Sequence, residues 1–347
     1  MDGHDEIHLM ENPDSTEEIP ILDIAPFLAG EPGARERIGA RLREISQTVG
    51  FFYLIGHGVP RSQIDDIMAE TRRLHELPID FRRTIARTDR IGYRAAEDRE
   101  MQSDGLPPPF LSAFVTLRER PPGDPRTVPG DPLRMPNHWP DGMPEFRDKV
   151  VAYWKAAEQV HIDMLPLWDT ALGLPSGYLL KHFFSHPYAA LSLLHYPPQK
   201  FAKSRQYGLK PHTDNGFVTI LAQGDVPGLA VRMPSGHWRV AEVIPGAYMV
   251  NTGNMMVRIT NGRFLSTKHR VINTTEGPRC SVPLFVGADL DSIIECLPTC
   301  QDPANPPQFP PIQYEKLYRW YYYGEGGREK AVGPDVKSEG PWLPPAR

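Results

Sequence analysis

Apolar positions along the chain fall into two regimes, one helical and one extended. Between Ala34 and Gly50 they recur at Ile38, Leu42, Ile45 and Val49, steps of four, three and four that trace one face of an α-helix, and Gly50 supplies a stop. The flanking runs, Ile19-Pro20-Ile21-Leu22-Asp23-Ile24 and Phe51-Phe52-Tyr53-Leu54-Ile55, read as short strands. Ser62 is a candidate cap for a second helix that carries Ile64, Ile67, Met68 and Leu74 on its inner face. The first part of the chain therefore predicts strand, helix, strand, helix.

A longer helix is predicted over residues 144–172, where Val150, Trp154, Val160, Met164, Leu165 and Trp168 keep helical spacing. Beyond Leu191 the pattern changes to short runs broken by Gly and Pro, at 191–196, 217–223, 228–232, 238–243, 247–252, 256–259, 264–272 and 279–287. Eight strands at this spacing predict a sandwich or jelly roll. Residues 88–143 are rich in Pro, Gly and Arg with isolated aromatics and predict no regular structure, the character of a segment that covers a site. Residues 1–18 lack an apolar period and read as disordered or loosely attached, and 324–347 read as a mobile tail. The expected organisation is an N-terminal α/β lobe with the irregular segment at 19–143, then a helix, jelly-roll core and C-terminal helix at 144–323. The class is mainly β with flanking helices.

Composition restricts partners more than fold. The 347 residues are 40% hydrophobic and 23% charged, enough for a substantial core. A net charge of −5 without long blocks of one sign argues against nucleic acid. No apolar run is long enough to span a bilayer. Cys280, Cys296 and Cys300 cannot form a fully paired secreted framework, and Cys296 with Cys300 lacks the second pair a structural zinc site needs. With a polar, acidic N-terminus that has no apolar leader, these features predict a cytoplasmic protein. Its oligomeric state stays open between monomer and weak dimer.

The candidate chemistry starts at His212-Thr213-Asp214. On an extended backbone, side chains two residues apart point the same way and can grip one ion. The pair His161-Ile162-Asp163 is an internal control: it lies in the long helix, where two residues span about 200° around the axis, so it cannot chelate. Taken alone, His212-x-Asp214 reads more readily as a polar surface turn than as a metal site. His269, in Thr267-Lys268-His269-Arg270-Val271, supplies a third donor, and two histidines with one carboxylate on one face of a six-coordinate iron leave three positions open. Arg279 and Ser281 share strand parity, and a guanidinium fork with a hydroxyl is a receptor for a carboxylate. Ten extended residues from His269 to Arg279 would cover about 33 Å, so the chain must reverse, and Asn273 to Pro278 is the expected place. Tyr196 could add a hydroxyl to the same pocket. Ser192, Leu194 and Phe285 share parity with these residues and are open between core packing and substrate contact. His57 reads as a turn-fixing residue, and His195 as packed on the far side of its strand from Tyr196.

Together these residues resemble the isopenicillin N synthase-like family of iron(II)/2-oxoglutarate-dependent dioxygenases. The likeness rests on Ile19-Pro20-Ile21-Leu22-Asp23, Gly50-Phe51-Phe52-Tyr53, Gly56-His57-Gly58-Val59-Pro60, Tyr196-Pro197-Pro198, His212-Thr213-Asp214, Gln223 to Gly228-Leu229, Asn261-Gly262-Arg263-Phe264, His269-Arg270-Val271 and Arg279-Cys280-Ser281. The resemblance implies a distorted double-stranded β-helix with iron(II) at its open end, bound by His212, Asp214 and His269. It implies 2-oxoglutarate as co-substrate on Arg279, Ser281 and Tyr196, with O2, and ascorbate as reductant in vitro. It also implies oxidation of an unactivated C–H bond of a small-molecule metabolite by hydroxylation, desaturation or cyclisation in natural-product biosynthesis, releasing succinate and CO2. An iron oxidase of the same fold that does not use 2-oxoglutarate, and a non-catalytic small-molecule binding protein, are the competing readings. Two positions depart from the family: Leu194 stands where many relatives have Asn, and Asn254 where they have Asp.

Overall fold

The computed structural model describes residues 17–86, 91–98, 108–198, 207–273 and 275–323. The chain opens with β1 (Ile21–Asp23), α1 (Ala25–Leu28), α2 (Ala34–Thr48), β2 (Phe51–Ile55), α3 (Arg61–Glu76) and α4 (Ile79–Thr84). The α2 stripe is as its spacing predicts: Ile38, Leu42 and Ile45 are buried, and Gly50 follows at φ 70°, a left-handed conformation that costs glycine little. Ser62 does not cap α3. The helix starts two residues earlier than that cap implies, at Arg61, with Pro60 in extended conformation at the cap and no side-chain cap bond.

The 88–143 segment is less irregular than its composition predicts, since it contains β3 (Gly92–Arg94) and β4 (Ser112–Leu117). Nearly all of β4 is buried, so it lacks the apolar–polar alternation by which a half-exposed strand is read. The chain continues through α5 (Pro144–Leu172), α6 (Tyr178–Phe183), β5 (Ala189–Tyr196), β6 (Leu209–His212), β7 (Val218–Gln223), β8 (Leu229–Arg232), β9 (Trp238–Val240) and β10 (Tyr248–Thr252). It ends with α7 (Asn254–Ile259), β11 (His269–Val271), β12 (Arg279–Val286), β13 (Ile293–Ile294), β14 (Ile312–Gln313) and α8 (Tyr314–Tyr323).

Two strand expectations are corrected. Residues 256–259 lie in a helix, and of 264–272 only His269–Val271 is strand. Every residue of α7 is buried, so its apolar run carries neither a helical nor an extended period.

An eight-stranded sheet, in order β1-β2-β10-β7-β12-β5-β4-β3, faces a four-stranded sheet, β6-β11-β8-β9. This is the distorted double-stranded β-helix expected for the fold class. β1 runs parallel to β2, and β2 pairs with β10, so the N-terminal strands extend the large sheet. Alternation of side chains gives that sheet two apolar faces. The outer one packs on α2, α3 and α5 through residues such as Phe114, Leu191, Leu193, Val282 and Trp168. The inner one, with Tyr53, Leu194, Tyr196 and Met249, meets Leu229, Val231 and Val271 of the small sheet. The gap between the sheets is where inward-facing polar side chains collect.

Candidate metal centre

His212 ends β6 and His269 begins β11, and the antiparallel register sets them directly opposite each other. Their ring centroids are 4.2 Å apart. Asp214 lies just past the end of β6, with its Oδ1 at 3.8 Å from His212 Nε2 and 3.7 Å from His269 Nε2. One donor atom from each residue lies within 4.8 Å of the others, and no second group of three such residues occurs among the described residues.

The hydrogen bonds fix which atoms face inward. Nδ1 of His212 is 2.8 Å from the carbonyl of Lys210, and Nδ1 of His269 is 3.2 Å from that of Thr267. A carbonyl can only accept, so each Nδ1 carries the proton and each Nε2 presents a lone pair. Oδ2 of Asp214 accepts from Thr219 Oγ1 at 2.5 Å and from Asn251 Nδ2 at 2.8 Å, which leaves Oδ1 for the centre. Burial pushes His212 down to about 4, and the neighbouring His269 adds to that. Burial works to raise Asp214, but His269, His212 and the bonds from Thr219 and Asn251 outweigh it and hold the carboxyl below its ordinary range. The result is two imidazole Nε2 atoms and one carboxylate oxygen aimed at a common point. This donor set fits a divalent iron with open positions.

Arg279 and Tyr196 are register partners on β12 and β5, with the guanidinium 4.9 Å from the centre of the tyrosine ring. Arg279 is fully buried and donates from Nη1 to Ser281 Oγ at 3.3 Å, while its Nε and Nη2 have no partner among the described residues. Burial lowers its pKa, against the opposing effects of Tyr196 and Cys280, and no carboxyl group is among the causes acting on it. The predicted reversal holds: Asn273 Nδ2 ties the carbonyls of Tyr196, Pro197 and Gly277 together, and the chain passes from the small sheet to the large one. Gly228, just before β8, makes room for Arg279, because a Cβ there would meet the Ile272 carbonyl at 2.7 Å and Arg279 Cδ at 3.0 Å.

Comparison with known proteins agrees with this geometry. The family model of the 2OG-Fe(II) oxygenase superfamily matches residues 187–288, and that of the non-haem dioxygenase in morphine synthesis N-terminal region matches 19–142. The 2-oxoglutarate-Fe(II) type oxidoreductase hxnY of Emericella nidulans is 31% identical, over 91% of this chain and 93% of its own. The chain belongs to the 2OG-Fe(II) oxygenase superfamily. The 2-oxoglutarate-dependent dioxygenase citB of Monascus ruber is 33% identical over 79% of this chain and 85% of its own. A Neurospora crassa structure in complex with alpha-KG and thymine superposes with a TM-score of 0.77, covering 90% of this chain and 98% of that one at 23% identity, which supports the fold. The protein is thus an oxygenase that uses iron(II), 2-oxoglutarate and O2 to oxidise a small molecule.

Other candidate residues of the oxygenase sort themselves by face. In β12, Phe285 opposes Thr219, the residue that holds Asp214, so its half-buried ring stands on the same face as the centre. Leu194 opposes Ser281 and packs in the inner apolar cluster, and Ser192 is buried on the neighbouring rung. The control pair behaves as its helix dictates: His161 is buried against Phe184, while Asp163 bonds Gln159 at the surface. His57 fixes its turn, donating from Nε2 to the Gly246 carbonyl and accepting Val59 N–H at Nδ1. His195 stacks on His75, away from Tyr196.

Thr219, Asn251 and the edge of Phe51 against His269 are the contacts that motif reading missed. The available signal was parity, since Thr219 and Asn251 are cross-strand partners on the inward face. Asn254, the departure from the family pattern, reaches Asn215 with its side chain and gives its backbone N–H to the Asp214 carbonyl. No helix among the described residues is long and apolar enough to cross a membrane.

Proposed function

We propose that His212, Asp214 and His269 hold the iron(II), that Arg279 and Ser281 with Tyr196 hold the distal carboxylate of 2-oxoglutarate, and that Ser192, Leu194 and Phe285 line the substrate side. The observation that carries the reading is Arg279. A buried guanidinium with no counter-charge is costly unless a ligand supplies one, and its two open N–H edges suit a carboxylate. Iron(II) bound there, with 2-oxoglutarate and O2, supplies the oxidising power, and succinate and CO2 are the co-products.

The chain's own part is placement. The carbonyls of Lys210 and Thr267 keep both imidazoles in the metal-binding tautomer, and Thr219 with Asn251 keeps Asp214 from rotating. Tyr196 supports the Arg279 guanidinium from below, and Leu194 with Phe285 excludes water beside the reacting bond. The substrate in this reading is a small metabolite of natural-product type, oxidised at an unactivated C–H bond by hydroxylation, desaturation or ring closure. The three cysteines are free and buried, which supports a reducing, cytoplasmic setting.

Purified protein with iron(II) and ascorbate is expected to convert 2-oxoglutarate to succinate, and His212→Ala or His269→Ala to abolish it. Arg279→Ala is expected to raise the KM for 2-oxoglutarate by about 100-fold, the loss of a charge-assisted pair. Turnover that persists in both histidine variants would remove the metal assignment, and an unchanged KM would remove Arg279.

A further inference from the structure

β3 is the last strand of the large sheet, and its Arg94 belongs to a continuous rung of cross-strand partners. Arg94 stands opposite Ala113, Ala113 opposite Leu194, and Leu194 opposite Ser281. Directly opposed residues of antiparallel strands point their side chains to the same face. Ser281 identifies that face, since its hydroxyl accepts from Arg279 Nη1, and Ala113 and Leu194 both pack in the inner apolar cluster. Tyr93, one residue before Arg94, takes the opposite side, where its ring meets His75 and its hydroxyl accepts from Arg82. The rung also starts beside the metal strand. The Phe110 N–H, just before β4, bonds the Tyr207 carbonyl, just before the β6 strand that ends in His212.

Arg94 is the charged member of this rung and is partly buried, yet its side chain forms no hydrogen bond or ion pair with a described residue. Its neighbours are spent: Arg82 on the Leu77 carbonyl and Tyr93, Arg83 on Asp98. A guanidinium with its whole donor fork open on a partly buried face is a receptor for a carboxylate, which it grips by two parallel N–H bonds. No second cation stands on the rung, so one negative charge balances it, which favours a carboxylate over a phosphate ester. The positions between Arg94 and Ser281 are apolar. Ala113 ends at a methyl group, which leaves room over the strand, and Leu194, the departure from the family pattern, offers a hydrocarbon surface where an amide would not. Three strand spacings set the Arg94 and Ser281 backbones about 14 Å apart, a span that the arginine side chain and a molecule the size of octanoate fill together.

We propose that Arg94 is a specificity-determining residue: the substrate is a small carboxylate whose anionic end Arg94 holds and whose apolar body lies over Ala113 and Leu194. The body then lies beside the co-substrate, which rests on the reading of Arg279 and Ser281 as the 2-oxoglutarate end.

Octanoate and phenylacetate, each paired with its amide, are the probes. They are titrated anaerobically, with calorimetric readout, into protein saturated with iron(II) and 2-oxoglutarate, so that the Arg279 pocket is filled. Each acid is expected to bind one-to-one and at least about tenfold tighter than its amide. Arg94→Gln is expected to erase that preference, weakening the acids about tenfold or more and leaving the amides as they were, and Arg94→Lys to restore part of it. Thermal unfolding of both variants is expected to match the wild type, because the Arg94 side chain bonds nothing in the fold. Absence of saturation by both acids, equal binding of acid and amide, or an acid preference that survives Arg94→Gln overturns the proposal. Acids that 2-oxoglutarate displaces, and that lose affinity in Arg279→Ala rather than in Arg94→Gln, overturn it too and leave the Arg279 reading standing. 2-Oxoglutarate that binds the wild type and Arg279→Ala alike removes that reading alone.

Discussion

Asp214 divides its two oxygens between two tasks. Oδ1 faces the histidine nitrogens, and Oδ2 is held by Thr219 and Asn251, so the carboxylate has one orientation before any metal arrives. Outer contacts of this kind contribute to metal affinity by removing the entropy of ligand rotation and tuning basicity. Asn251→Leu removes one of the two restraints at similar size, and iron(II) affinity is expected to fall about 10- to 100-fold with the fold intact. Competition against a chromophoric chelator measures it, and an unchanged affinity would show that Thr219 alone orients the carboxylate. At this scale the sequence showed the ligands but could not rank them. His212-x-Asp214 and His161-x-Asp163 are the same string, and only the backbone beneath them, extended in one case and helical in the other, separates chelator from decoy. Parity within each strand could set Thr219 and Asn251 on inward faces, but their meeting at Asp214 depends on a strand register between distant segments.

Among the elements, α8 is tied to the 131–134 segment by charge as well as to the core by the buried Tyr314 and Leu317. Arg134 and Arg319 each bridge Asp131 and Glu315, with the four contacts between 2.5 and 2.8 Å and the side chains 15–20% exposed. Glu315 is held below its usual range first by the bond from Arg134, then by Arg319, against an opposing effect of burial. Glu315→Gln keeps the shape but removes the charge shared by both arginines. Faster hydrogen exchange across residues 314–323 is expected, with a loss of about 1–2 kcal/mol in global stability that shrinks in high salt. Exchange that matches the wild type would mean that Tyr314 and Leu317, both buried, hold the helix unaided. Elements with one wet face, such as α2, were legible from period alone. Those buried on every side, α7 and β4, were not, because no polar position remains to mark the period. The 131–134 bridge to α8 was equally hidden, since its partners are brought together only by the closed fold.

For the whole molecule, the same dry interior that shields the metal centre also encloses two histidines with no catalytic part. His75 and His161 are 5% and 1% exposed, and each is pushed down to about 3. Burial is the main cause in both, with His195 adding at His75 and Arg118 at His161. Above pH 6.5 neither state of the chain binds a proton at these sites, so they add no pH dependence. As the pH falls from 6.5 towards 3 the unfolded chain takes up protons that the folded one refuses, and stability drops by about 1.4 kcal/mol per pH unit for each histidine. Below about 3 the folded state protonates as well, and the slope vanishes. His161 is the cleaner test, because both its ring nitrogens lack partners among the described residues and its neighbours Phe184 and Phe217 are apolar. His161→Leu is expected to match or exceed wild-type stability at pH 7, since no hydrogen bond is lost. At pH 4.5 it is expected to be more stable by roughly a further 2–3 kcal/mol. Urea midpoints of both proteins at the two pH values decide the matter, and iron release, common to both, cancels in the difference. An equal gap at pH 7 and pH 4.5 would mean that His161 titrates in the fold as it does in the open chain.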